Sequence, residues 1–149
     1  MKIYMVHPIS GLSAETVFNY YKKNQKRLEA FGYQVLTPMY GKSFLRCEKE
    51  FRSSDYKNPC TTNHAIFDRD HWMVEQADVL YANLSLANMV SIGSMMELAW
   101  GKHLHKHIVL TLPEINVHRH AFVLEAASVI YTEHEESMEY LRMLVQGEY

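Results

Sequence analysis

The chain has 149 residues, 48% of them hydrophobic and 21% charged, the balance of an ordinary globular domain with enough apolar side chains for a real core. A formal net charge of -2 argues against a nucleic-acid-binding surface. No apolar run approaches bilayer length and no basic, apolar leader precedes the first strand, so a cytoplasmic setting without membrane contact is expected.

Lys2 to Val6 is a compact apolar run ending at His7-Pro8 and reads as a buried first strand. Pro8, Ser10 and Gly11 make the loop after it, and Ser13 is placed to cap a helix. Val17, Tyr20 or Tyr21, Asn24, Leu28 and Phe31 then recur at helical spacing, and Gly32 ends the helix. Tyr33 to Leu36 is a second strand, stopped by Thr37-Pro38. Met39 to Thr62 is the least regular stretch. A connection of that length is expected to be either a solvated loop or a binding element, here carrying Lys42, Arg46 and Arg52 over a polar or anionic ligand.

Asn63 to Ala77 reads as a helix whose apolar stripe is Ile66, Met73 and Ala77. Asp70 shares that stripe, whereas Asp68 falls on a wet face. A carboxylate on a buried face needs a partner or a cavity, so Asp70 is either half of a structural ion pair or a site residue. Asp78 to Leu84 is the third strand and His107 to Leu112 the fourth, closed by Pro113. The helix between them is expected to start at Ser94 and to be broken by Gly101. Ala121 to Ala127 is a short helix and Ser128 to Tyr131 a fifth strand. Thr132 and Glu135 have capping-box spacing before a last helix striped by Met138, Leu141 and Leu144 or Val145. This alternation predicts one α/β domain over 1–149, a doubly wound, flavodoxin- or Rossmann-like parallel sheet of about five strands with helices on both faces.

Ser94 and Glu97 also have capping-box spacing, which gives Glu97 a purely structural reading. The alternative places Glu97 in the first turn of a helix at the C-terminal edge of a parallel sheet, where open α/β sheets bind ligands. Gly93 there lets backbone approach a ligand, and Ser91 and Ser94 add hydroxyls and helix-start N–H groups that suit a phosphate or hydroxyl. The lysine of a P-loop is missing, as are G-x-G-x-x-G and G-x-S-x-G. His103, His105 and His107 alternate, yet no carboxylate or cysteine joins them at ligand spacing, and no metal is expected. Cys47 and Cys60 match no zinc spacing. Reduced thiols are the default reading and a Cys47–Cys60 bridge the alternative. His118 and His120, in the loop leaving the fourth strand, are better placed for substrate contacts. Trp72, Tyr81, Trp100 and Phe122 are the aromatics available to stack on a base, unless they are core. What remains for chemistry is the pair Asp70 and Glu97, one ionised to attack an anomeric carbon and the other, its pKa raised, to protonate a leaving group.

These residues carry a resemblance. The run Asp70, Asp78-Val79, Ser91-Ile92-Gly93-Ser94 and Glu97-Leu98-Ala99, followed by Lys106, resembles the nucleoside 2-deoxyribosyltransferase family, whose superfamily includes nucleoside 5′-monophosphate N-glycosidases. Asn116 to Val123 is similar to a segment that some members carry. The likeness spans most of the chain and is weak over 39–62, the expected active-site loop. It implies Glu97 as nucleophile at C1′, Asp70 as the acid for the departing base and Tyr4 as the residue that holds the nucleophile. It also implies a nucleoside or nucleotide plus a free base as substrates, no cofactor, and a homo-oligomer whose neighbouring subunit completes the pocket. Two departures stand out. Transferases carry an aspartate where this chain has Ser91, and the monophosphate hydrolases carry a serine that binds the 5′-phosphate. His7-Pro8 replaces a small residue and glycine that relatives place there, which narrows the pocket. The expected substrate contacts are therefore Ser91, Gly93, Ser94, His7, Asn116, His118 and His120. The leading expectation is deoxyribosyl transfer between bases. The alternatives are hydrolysis of a deoxynucleoside monophosphate and a non-catalytic nucleotide-binding module. A flavodoxin-like regulatory domain would need an acidic cluster after the first strand, and His7-Pro8-Ile9-Ser10 offers none.

Overall fold

Strands that are apolar at nearly every central position must be covered on both faces, and the computed structural model of the chain has that architecture. It describes residues 1–47, 56 and 58–148. In chain order the elements are β1 (Lys2–Val6), α1 (Ala14–Phe31), β2 (Gln34–Leu36), α2 (Asn63–Gln76), β3 (Val79–Asn83), α3 (Ile92–His103), β4 (His107–Thr111), α4 (Ala121–Ala126), β5 (Val129–Tyr131) and α5 (His134–Gln146). All strand pairs are parallel, in the order β2-β1-β3-β4-β5. This is the flavodoxin-like order. The chain steps from β1 outward to β2, then returns to the other side of β1 as β3. The gap between the C-terminal ends of β1 and β3 is therefore the switch point.

Alternate strand residues feed two cores. Ile3, Met5, Val79, Tyr81 and Val109 pack with Val17, Tyr21 and Leu28 of α1 and with Met138 and Leu141 of α5. Tyr4, Val6, Leu80, Ala82, Ile108 and Leu110 pack with Met73 and Val74 of α2, Leu98 of α3 and Val123 of α4. Each fully buried aliphatic side chain contributes roughly 1.5–3 kcal/mol relative to exposure, so the two layers dominate stability. Gly32 takes a left-handed φ of 113° after α1, the conformation that lets the chain turn directly into β2.

Some local expectations fail for tertiary reasons. α3 is capped by Ser91, whose Oγ accepts from the Ser94 N–H, so Ser94 is inside the helix and Glu97 lies in its second turn. The Ser94–Glu97 capping box does not form. Neither does the one at Thr132 and Glu135: α5 is preceded by Glu133, which makes no side-chain cap, and Glu135 pairs with Arg27 at 2.7 Å. Gly101 does not end α3. A Cβ there would lie 2.5 Å from Leu80 Cδ2, so this glycine lets the helix press against β3. His103 closes α3, His105 sits in a turn with φ 55° and His107 opens β4, so the three histidines share no strand face. The 39–62 stretch holds short 3-10 turns at Ser43–Cys47 and Pro59–Thr61. Arg52 lies outside the described residues. Cys60 is a free thiol, which sets aside the Cys47–Cys60 bridge.

Candidate active site

Register brings the ends of β1 and β3 side by side, Val6 opposite Ala82, so that His7 and Asn83 emerge together. Their exit is tied by a 2.9 Å hydrogen bond from His7 Nδ1 to the Asn83 carbonyl. Above it opens a cavity of about 660 Å3, within the range of small-molecule sites. Its wall includes His7, Lys42, Asp70, Ser91, Gly93, Ser94 and Glu97. α3 begins at this edge and aims Glu97 back over β1. There the Tyr4 hydroxyl donates to Glu97 Oε1 at 2.6 Å in a buried contact. Tyr4 is fully buried and its hydroxyl pKa is pushed well above normal, first by burial and then by Glu97, so it stays a donor.

Glu97 and Asp70 are each 8% exposed. Burial is the main force lifting the Glu97 pKa to about 8, with the Asp70 charge adding to it, while the Tyr4 hydroxyl and Lys42 oppose the rise. Asp70 is also raised by burial, but Lys42 and Arg69 hold it back. Burial thus raises the pKa of both carboxyls, that of Asp70 against the pull of two cations. The Asp70 partner is Arg69 of its own chain, Nη2 to Oδ1 at 3.1 Å. The ion-pair and cavity readings of Asp70 thus hold together.

Lys42, one of the three cations on the stretch read as either a solvated loop or a binding element, lines the cavity and is 3% exposed. Burial lowers its pKa, while Asp70 and Glu97 work against that shift.

Ser91 and Ser94 stand with their hydroxyls 3.0 Å apart at the start of α3. Gly93 has no atom within 4 Å of where a Cβ would be, so a side chain there would take cavity space. His118 and Asn116 sit behind this edge. His118 Nε2 accepts the Ser91 N–H at 2.8 Å, its Nδ1 lies 3.3 Å from Asn116 Oδ1, and Asn116 Nδ2 donates to the Leu84 carbonyl at 2.9 Å. The imidazole is thus neutral and committed to bracing Ser91, and neither residue lines the cavity. His120 is further off: it caps α4 through the Phe122 N–H and is exposed. None of the four candidate aromatics lines this cavity, and Tyr81 takes the core reading. Trp72 and Phe122 face solvent at 55% and 81% exposure, Tyr81 lies in the opposite core against His134, and Trp100 packs on Phe67 and His71. Tyr56 is the cavity's tyrosine. Among the described residues no three His, Cys, Asp or Glu side chains are placed to hold a metal, and no helix is long and apolar enough to cross a membrane.

A flavodoxin-like sheet with two carboxyl groups buried at its switch point is the class that fold and site define. Within that class, the nucleoside 2-deoxyribosyltransferase family profile matches residues 3–140, and the chain belongs to this family. No curated protein matches it in a sequence comparison. Solved structures share the fold across nearly full length. The 2-deoxyribosyltransferase of the psychrotolerant bacterium Bacillus psychrosaccharolyticus is 16% identical with a TM-score of 0.68, covering 94% of this chain and 92% of that one. The Leishmania mexicana 2-deoxyribosyltransferase is 15% identical with a TM-score of 0.66, covering 95% and 96%. The Clostridium botulinum CMP N-glycosidase is 15% identical with a TM-score of 0.60, covering 97% and 99%.

Proposed function

We propose that the chain cleaves the N-glycosidic bond of a 2′-deoxynucleoside or its 5′-monophosphate and passes the deoxyribosyl group to another base. The observation that carries this reading is Glu97, buried at the cavity wall with its Oε1 fixed by Tyr4. In the first step a Glu97 carboxylate oxygen attacks C1′ and the C1′–N bond breaks. The electron pair leaves with the base nitrogen, which takes the Asp70 proton. In the second step the incoming base attacks C1′, the bond to Glu97 breaks, and Asp70 recovers a proton from the incoming N–H. Two displacements retain the anomeric configuration.

A second reading, hydrolysis of a deoxynucleoside monophosphate, is favoured by one feature. Ser91, a neutral hydroxyl that can donate to a phosphate, stands in the same wall as Glu97. Met89, Val90 and Ile92 also line the cavity, and Ile92 is 76% exposed. That apolar rim supports a homo-oligomer in which a second copy covers it. Light scattering on the parent and on Ile92→Asp tests this: a monomeric parent overturns it.

For the activity, the protein is incubated with a deoxynucleoside plus a different free base, and separately with deoxynucleoside monophosphates, with products separated by chromatography. A swapped nucleoside means transfer, and free base plus sugar phosphate means hydrolysis. Glu97→Gln should lose either reaction. Nucleotide binding without turnover by the parent would make the chain a binding module instead.

A further inference from the structure

One guanidinium reaches three acceptors from three parts of the chain. Arg69, on α2, donates through Nε to Asp70 Oδ1 at 3.1 Å, through Nη1 to the Cys60 carbonyl at 3.1 Å, and through Nη2 to the Pro38 carbonyl at 3.5 Å. Pro38 directly follows the β2 exit, and Cys60 lies in the last turn before α2. Both ends of the long β2–α2 connection are therefore fastened to the side chain next to Asp70. We propose that Arg69 is a positioning residue: it fixes the Asp70 carboxyl and both ends of this connection in one arrangement facing Glu97. The inference rests on the reading of Asp70 and Glu97 as the reacting pair.

The arrangement is more than a surface ion pair. The Arg69 side chain is 20% exposed and that of Asp70 11%, so the bonds are made largely out of water, where charge-assisted hydrogen bonds are strong. Both contacts to Asp70 end on Oδ1. The connection fastened at Pro38 and Cys60 carries Lys42 and Leu45 into the cavity wall. Among the described residues the cations acting on Asp70 are Lys42, from the connection, and Arg69, from its own helix. Its charge in turn acts on Glu97 of α3, Tyr4 of β1 and Tyr21 of α1. A planar fork with several fixed donors satisfies three acceptors at once. A lysine supplies the charge from a single point and lacks that reach.

The test uses Arg69→Met and Arg69→Lys in the full chain, with three readouts. The Asp70 carboxyl is titrated by carbon NMR, amide exchange is followed over residues 39–47 and 58–62, and kcat and KM are measured against pH. Arg69→Met should raise the Asp70 pKa by about 1–3 units, the usual effect of losing an adjacent arginine. It should also speed exchange in both segments and lower kcat/KM. Arg69→Lys should return the titration close to the parent's while exchange stays fast and KM stays high. An Asp70 titration unchanged in Arg69→Met overturns the proposal. So does exchange in Arg69→Lys as slow as the parent's, which also decides the matter if Arg69→Met fails to fold. A parent inert on every deoxynucleoside would count against the enzymatic reading alone, because titration and exchange need no turnover.

Discussion

The Tyr4 hydroxyl meets Glu97 Oε1 at 2.6 Å, and this contact joins the first strand to the second turn of the third helix across 93 positions of sequence. A phenol that cannot ionise in this setting is a permanent donor, and it favours the charged form of the carboxyl it touches. Tyr4→Phe removes that donor and nothing of the packing. The Glu97 pKa should rise further, and the population of attacking carboxylate at neutral pH should fall. We expect kcat to drop roughly 10–100-fold with little change in KM, and stability to change by about 1–3 kcal/mol at most, the scale of one buried unmet hydrogen bond. Steady-state kinetics on Tyr4→Phe check this. An unchanged kcat would mean that Glu97 needs no help from Tyr4.

The second prediction concerns pH. A folded-state pKa of about 8 on Glu97, above the unfolded carboxyl's, means that the native state binds the extra proton between the two values. Stability from this group is then present below the unfolded pKa and lost as pH rises toward 8. Glu97→Gln should abolish that loss and be more stable than the parent at alkaline pH, by an amount on the order of a few kcal/mol. Activity has a related signature. The proposed mechanism needs one proton on the pair, given from Asp70 while Glu97 attacks as the carboxylate. Moving it between the two carboxyls leaves the count unchanged, so the pair titrates as a unit. The rate should therefore be bell-shaped against pH, with its alkaline limb near pH 8 where the pair's last proton leaves. Thermal melts and pH profiles measure both halves. A rate that climbs through pH 9 without a limb would show that no proton on Asp70 is required.

The sequence makes the sheet legible because its strands are short apolar runs, three of them stopped or preceded by Pro8, Gly32, Pro38 or Pro113. It also exposes Asp70, since a carboxylate on the stripe of Ile66 and Met73 contradicts a purely apolar face. The start of α3 was ambiguous for a physical reason. Ser-x-x-Glu is a helix cap when the glutamate turns back to its own N-terminus, and a site when a distant hydroxyl takes it. The resemblance implies Tyr4 for that role, and the fold puts its hydroxyl 2.6 Å from Glu97 Oε1. The sequence names Lys42 and His118 as candidate ligand contacts but does not show what surrounds them. Lys42 is buried because the connection folds over the cavity, and His118 is occupied because the backbone of Ser91, 27 positions earlier, lies against it. Trp72 and Phe122 show the opposite outcome. They fall on outward faces of their helices, which their position in the sequence does not declare.

Two glycines in one helix separate stability from function. Gly101 faces Leu80, and an added Cβ would lie 2.5 Å from Leu80 Cδ2 and 3.3 Å from Ile108 Cδ1, both in side chains that are fully buried. Gly101→Ala therefore overpacks a filled core, at a cost of about 1–3 kcal/mol that exceeds the roughly 1 kcal/mol helix-propensity gain. Gly93, at the second helical position and on the cavity wall, has open space where its Cβ would stand. Gly93→Ala keeps the propensity gain without a clash, so the melting temperature should hold or rise. The new methyl occupies room beside Ser91 and Ser94, and KM for deoxynucleoside substrates should rise. Melting curves and KM for the two variants decide the matter. A Gly93→Ala protein with parental KM would place the substrate elsewhere in the cavity, and a Gly101→Ala protein as stable as the parent would mean that β3 yields to the helix.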